Sequence, residues 1–137
     1  SEPNLVTQYG HPSNYGVVGL LAHDMPGLAG LGFYLLQPGQ EVALVYGDGS
    51  TKSYIVSRIV KFRALSPNSE RSDFEYLEDT ESDPGHKIGQ IYNYSEVYNW
   101  MYTGNHHITF QTCLEGINVD GYPDLSWGRF FVIAYPK

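Results

Sequence analysis

The sequence predicts a mainly β domain, a barrel or sandwich with one or two short helices, on three observations. β-branched and aromatic residues gather into short runs, glycine-rich turns separate those runs, and only two segments place apolar residues at helical spacing. At 137 residues the chain can bury one core of useful size, so a single domain is expected over 1–137.

Taken in order, Tyr15 to Ala22, Glu41 to Tyr46, Lys52 to Leu65, His106 to Leu114 and Gly128 to Tyr135 read as strands. Gly47-Asp48-Gly49 supplies residues that tolerate positive φ, which makes Glu41 to Leu65 a hairpin. Pro26 to Leu36 carries Leu28, Leu31 and Leu35 at helical spacing, although Gly27, Gly30 and Gly32 oppose a helix there. Ser95 to Tyr102 is the second helical segment, with Ser95 as its expected cap. From Ser66 to Tyr94 the chain turns polar and acidic, and a long surface loop is expected.

Charge narrows the partners. Eight basic against 15 acidic side chains give a formal net charge of −7, which opposes nucleic-acid phosphates and anionic lipid. No apolar run reaches bilayer length, and Ser1-Glu2-Pro3-Asn4 has no secretory n-region, so the chain as given is expected to be soluble. The single cysteine, Cys113, excludes an intramolecular disulfide and is either a small buried side chain or a functional thiol.

Alternation along the fourth strand bears on those two readings. His107, Thr109, Gln111 and Cys113 share one face, and Ile108, Phe110, Thr112 and Leu114 share the other, more apolar one. A structural cysteine belongs on the apolar side, so the polar face favours a functional thiol pointing away from the densest packing. If the next strand pairs antiparallel, Arg129 comes to the same sheet edge as Cys113. Arg129 is the one cation in an apolar strand, and it must face an anion, a cleft or solvent. Its bland alternative is a head that reaches water or pairs with a carboxylate such as Asp124.

His23 closes the first strand, and a parallel pairing of that strand with the cysteine strand brings His23 to Cys113. His11, His86, His106 and His107 are assigned surface or structural roles. A thiolate to attack a carbonyl, an imidazole to pass a proton and a fixed cation to steady an oxyanion suffice for acyl transfer. Asp24 is the alternative third member, ranked below Arg129 because adjacent side chains on an extended backbone diverge.

These residues resemble the sortase family of bacterial cell-surface transpeptidases. The resemblance rests on Leu20-Leu21-Ala22-His23, on Thr109-Phe110-Gln111-Thr112-Cys113, on Arg129-Phe130-Phe131-Val132, and on Phe33-Tyr34-Leu35-Leu36 followed by Pro38-Gly39-Gln40-Glu41-Val42. It runs from about Tyr15 to the C-terminus, with Phe110 where leucine is usual, Ala22 where glycine often stands, and little before Tyr15 where the family has further strands. It implies a closed β-barrel, Cys113 as nucleophile, His23 as general acid and base, Arg129 as substrate-positioning or oxyanion cation, and Thr112 lining the groove. It also implies cleavage of a Leu-Pro-x-Thr-Gly type sorting signal and transfer to an amine of a cell-wall precursor or pilin, outside the cytoplasm, on a membrane anchor absent from this chain.

No cofactor is required by this chemistry. The acidic stretch from Glu70 to Asp83 could hold calcium, as in some sortases, but it lacks EF-hand spacing, and a solvated charged loop is expected. His106 and His107, adjacent on a strand, point to opposite faces and make poor zinc geometry. Histidine preceding cysteine and the absence of a Gln-Ala-Cys-x-Gly element argue against the papain-like and caspase classes. The alternative from another class is a non-catalytic β-sandwich or barrel module binding peptide or carbohydrate through its 12 tyrosines and 2 tryptophans.

Overall fold

The structure, a computed structural model, describes residues 7–9, 17–21, 33–69, 71–117 and 120–137. The chain is mainly β, an eight-stranded sheet curled into a half-barrel with one helix among the described residues. The strands are β1 Thr7–Tyr9, β2 Val18–Leu21, β3 Glu41–Val45, β4 Thr51–Ala64, β5 Phe74–Asp79, β6 Ile91–Tyr92, β7 Ile108–Ile117 and β8 Pro123–Pro136; the helix α1 spans Tyr94–Tyr102. The sheet runs β1-β2-β7-β8-β4-β5-β6, with β3 on the free half of β4. All neighbours are antiparallel except β2 and β7, which run parallel.

Three register shifts bend the long strands: between Val56 and Arg58, between Lys61 and Phe62, and between Leu114 and Gly116. The first has a consequence for burial. Tyr54 and Val56 pack with Phe33, Ile108, Phe110, Phe130 and Val132, whereas Val60, Phe62 and Ala64, of the same parity, pack with Phe74, Tyr76, Val97, Met101 and Phe131. One extra residue turns the inward side of β4 from one face of the sheet to the other. The sheet thus carries apolar clusters on both faces, one under α1 (the helix face) and one under the 3₁₀ turn at 33–35 (the turn face).

The hairpin expected over Glu41 to Leu65 forms. Gly49 takes φ +86°, and Asp48 Oδ1 accepts from the Ser50 amide at 2.8 Å, closing a turn between Val45 and its partner Thr51. The second expected helix also forms, but its cap is Asn93, not Ser95. Asn93 Oδ1 accepts from the Glu96 amide at 2.8 Å while Glu96 Oε1 accepts from the Asn93 amide at 3.2 Å, a capping box that starts the helix two residues earlier. Of the helix expected over Pro26 to Leu36, residues 33–35 form only a 3₁₀ turn, and 26–32 lie outside the described residues.

The long loop expected from Ser66 to Tyr94 is corrected: it contains β5 and β6. Phe74 and Tyr76 are buried, and the acidic residues between and after them meet cations of β4, Arg63 with Glu75 at 2.9 Å and Lys61 with Glu78 at 3.2 Å. Strand β1 is a paired strand ahead of Tyr15, in the segment that the resemblance does not cover.

At the end of β4 remote from Ala64, Tyr54 is fully buried, and Tyr54 Oη and Lys52 Nζ both lie on His106 Nε2, at 3.1 and 3.3 Å. Burial pushes the Tyr54 phenol up to about 12, and its hydrogen bond to Tyr46 adds to the rise. A folded-state value above the unfolded value of about 10 means this contribution to stability is complete below pH ~10 and lost as the pH rises through the folded value. Absorbance at 295 nm with parallel circular dichroism should show a late tyrosinate forming together with unfolding. In Tyr54→Phe the alkaline fall in stability should become shallower, and an unchanged alkaline limb would refute this role for Tyr54.

Candidate functional site

The site begins with strand pairing. In the antiparallel β7–β8 ladder, Cys113 lies directly opposite Arg129, one pair before Leu114 and Gly128 and just ahead of the register shift at Leu114 to Gly116. The expected sharing of one sheet edge is therefore met as closely as a ladder allows. Both side chains are partly buried, which leaves each a route to solvent.

Their face is the helix face. Thr109 and Gln111, of the same parity as Cys113, meet α1: Thr109 Oγ1 donates to the Met101 carbonyl at 2.7 Å, and the Tyr102 hydroxyl donates to Gln111 Oε1. The ring of His107, 3 % exposed, sets Nε2 at 3.1 Å from the same Met101 carbonyl and Nδ1 at 2.6 Å from that of Asn105. This corrects the expectation that the polar face of β7 points away from dense packing. Its polar groups satisfy carbonyls left open at the helix C-terminus, so polarity there reflects capping as much as chemistry. Cys113 is the next residue of that row.

Thr112 occupies a different place from the one implied for it. It is 3 % exposed and shares the turn face with Ile108, Phe110 and Leu114, opposite to Cys113. A residue so placed packs behind the strand and does not line a groove on the cysteine side.

The guanidinium of Arg129 extends along the helix face. Its Cζ lies 5.6 Å from the centre of the Phe74 ring, and Nη1 donates to the carbonyls of Gly128 at 3.0 Å and Ser126 at 3.4 Å. Among the described residues no carboxylate pairs with it: Asp124, the bland partner, accepts from the Ser126 amide at 2.9 Å. Among the described residues the Arg129 guanidinium is thus met by main-chain carbonyls and by the aromatic platform of Phe74, which local sequence pattern does not mark.

His23 and Asp24 lie outside the described residues, as does His11. The strand leading to His23 is described, and its parallel pairing with β7 is as expected: Val18 pairs with Ile108, Gly19 with Thr109, Leu20 with Phe110 and Leu21 with Gln111.

Beneath the Cys113–Arg129 pair, on the turn face, the 3₁₀ turn crosses both strands. Phe33 packs edge-on against Phe110 at 5.1 Å and Tyr34 against Phe130 at 4.7 Å, and the Tyr34 hydroxyl donates to the main-chain carbonyl of Cys113. Leu20, Leu36 and Leu114 pack around the same cluster.

A second concentration of titratable groups lies on β4 and β5. Arg58 pairs with Asp79, whose side chain is 2 % exposed, and with Asp83 at 3.4 Å; the Tyr76 hydroxyl donates to Asp79; His86 stacks on Trp100 at 3.6 Å and reaches Asp83 at 3.2 Å. Burial alone would ease proton loss from Arg58, but Asp79 offsets this and holds it charged beyond the ordinary arginine range. The Asp83 carboxyl, despite burial, is held below its usual range by the Gly85 amide, His86 and Arg58. These charges answer one another and tie the 80–90 segment to the helix. Removing one partner of a buried pair costs about 3–5 kcal/mol.

The same pairing bears on the acidic stretch considered for calcium. Among the described residues no group of three His, Cys, Asp or Glu side chains is arranged to hold a metal, and Glu75, Glu78, Asp79 and Asp83 are engaged by cations while Glu81 accepts from Ser57 at 2.7 Å. His106 and His107 part to different surroundings, the first to Tyr54 and Lys52, the second to Met101 and Asn105. No family model, no curated protein and no solved structure matches the chain, so the site is read on its own geometry.

Proposed function

We propose that the chain is a sortase-like cysteine transpeptidase acting on a Leu-Pro-x-Thr-Gly type sorting signal. The observation that carries this reading is the direct pairing of Cys113 with Arg129 beside a parallel strand that leads to His23. In the β2–β7 register each residue of β2 meets the residue numbered 90 higher, as Leu21 meets Gln111. The reading requires that offset to hold for two more residues, which would set position 23 level with Cys113.

The Cys113 thiolate attacks the threonyl carbonyl carbon, and the C=O electron pair moves to oxygen, where Arg129 donors stabilise the oxyanion. Collapse breaks the Thr–Gly bond, and His23 gives its proton to the departing glycine nitrogen, leaving a thioester on Cys113. An acceptor amine, on a cell-wall precursor or a pilin lysine, then attacks the thioester, loses its proton to His23 and expels the Cys113 thiolate. Asp24 in place of Arg129 as the third member remains the competing assignment within this reading. The reading takes the curled sheet as the greater part of a closed barrel, places Thr112 behind the nucleophile, and carries an extracytoplasmic, anchored location with it.

Thiol labelling tests the reading before any substrate is known. In the folded protein iodoacetamide should alkylate Cys113 at a rate that follows a pH profile, and His23→Ala should move that profile. A thiol that is inert until the protein unfolds would sink the transpeptidase and leave the non-catalytic binding module.

A further inference from the structure

Resting on the transpeptidase reading, we infer that Tyr34 is a positioning residue that holds the nucleophile strand in register from behind. Cys113 occupies an exacting place in β7. The ladder with β8 shifts two residues later, between Leu114 and Gly116. Beside such an irregularity the direction of the strand carbonyl needs support beyond the ladder, and that direction sets where the side chain points.

The Tyr34 hydroxyl donates to that carbonyl. Its ring rests on Phe130, which pairs with Thr112 in the ladder, and the preceding Phe33 rests on Phe110. The turn therefore spans β7 and β8 on the turn face, while the Cys113 side chain projects from the helix face. Tyr34 cannot meet a substrate carbonyl held at the sulfur. Its part is to fix the main chain that carries the thiol, so that the attack line on a peptide carbonyl is kept to a fraction of an ångström. Displacements of about 1 Å at a reacting centre cost up to roughly 10²-fold in rate, and loss of one hydrogen bond places the expected effect nearer 10-fold.

Tyr34→Phe keeps the ring on Phe130 and removes only the donor. Three measurements on the full chain separate the possible outcomes: cleavage of a quenched fluorescent Leu-Pro-Ala-Thr-Gly peptide, alkylation of Cys113 by iodoacetamide across pH, and thermal melting. The expected result is a fall in kcat of about 10-fold with KM within about 2-fold, an alkylation profile like that of the parent, and a small change in Tm. A small reagent needs no fixed approach line, whereas the peptide does. Undiminished kcat in Tyr34→Phe overturns the positioning role and leaves the nucleophile standing. Equal losses in cleavage and alkylation overturn it too, because they show a damaged thiol environment and not a lost alignment. If the parent protein neither cleaves peptide nor alkylates while folded, the nucleophile assignment itself falls, and this inference with it. Tyr34→Leu, which also removes the ring from Phe130, should lower Tm further and shows how much the packing contributes.

Discussion

Replacing Cys113 with alanine is expected to bring cleavage of the Leu-Pro-x-Thr-Gly peptide down to the uncatalysed background while the melting temperature stays close to that of the parent. The thioester cannot form without sulfur, so this loss has no partial rescue from the remaining groups beyond binding and oxyanion contacts. Cys113 is only partly buried, and trimming it opens no sealed cavity in either cluster. In the same assay Arg129→Lys keeps the charge but loses the planar fork, and it should reduce turnover by roughly 10²-fold, the scale of one lost oxyanion donor. Residual turnover near the parent's in Cys113→Ala would remove the mechanism; a harmless Arg129→Lys would reduce the site to Cys113 and His23.

Gly128→Ala should carry a large cost in stability. A Cβ at Gly128 would stand 2.1 Å from the Phe62 carbonyl oxygen and 3.2 Å from Leu114 Cβ. The first obstacle is backbone, and it cannot rotate out of the way, so β4 and β8 must part where Arg63 and Phe62 meet Gly128 and Arg129. Overpacking of this kind costs about 3 kcal/mol, or about 10 °C in Tm for a chain of this size. Activity should fall as well, since the displaced residue adjoins Arg129 and faces Leu114, the neighbour of Cys113. A melting temperature within about 2 °C of the parent's would show that the strands absorb the methyl group without parting, contrary to the contact geometry.

Strand β5, Phe74-Glu75-Tyr76-Leu77-Glu78-Asp79, lies where the acid density of the sequence predicts a surface loop. Ring and acid alternate over Phe74, Glu75 and Tyr76, but Leu77, Glu78 and Asp79 break the pattern, and acid density predicts a loop. What makes these carboxylates compatible with a sheet is Arg58, Lys61 and Arg63 on β4, and that match exists only once the strands are paired. The Asn93 cap is hidden in the sequence for a similar reason, since Ser95 also fits the local pattern and only the reciprocal Glu96 contact distinguishes them.

What the sequence by itself determined about this protein is local: the positions of five strands, the Gly49 turn, the existence of α1, and the order His23, Cys113, Arg129 along the chain. Such features depend on side-chain period and backbone preference within a few residues, so they can be read without knowing partners. Only the tertiary structure decided that Cys113 faces Arg129 across a ladder, that the polar row of β7 serves the end of α1, that Thr112 lies behind the strand, and that Tyr34 reaches the Cys113 carbonyl. Tyr34 and Cys113 stand 79 residues apart in the chain. No local periodicity encodes a meeting over that distance. It follows from strand register and from a single extra residue in β4 that turns the inward side of a strand from one face of the sheet to the other.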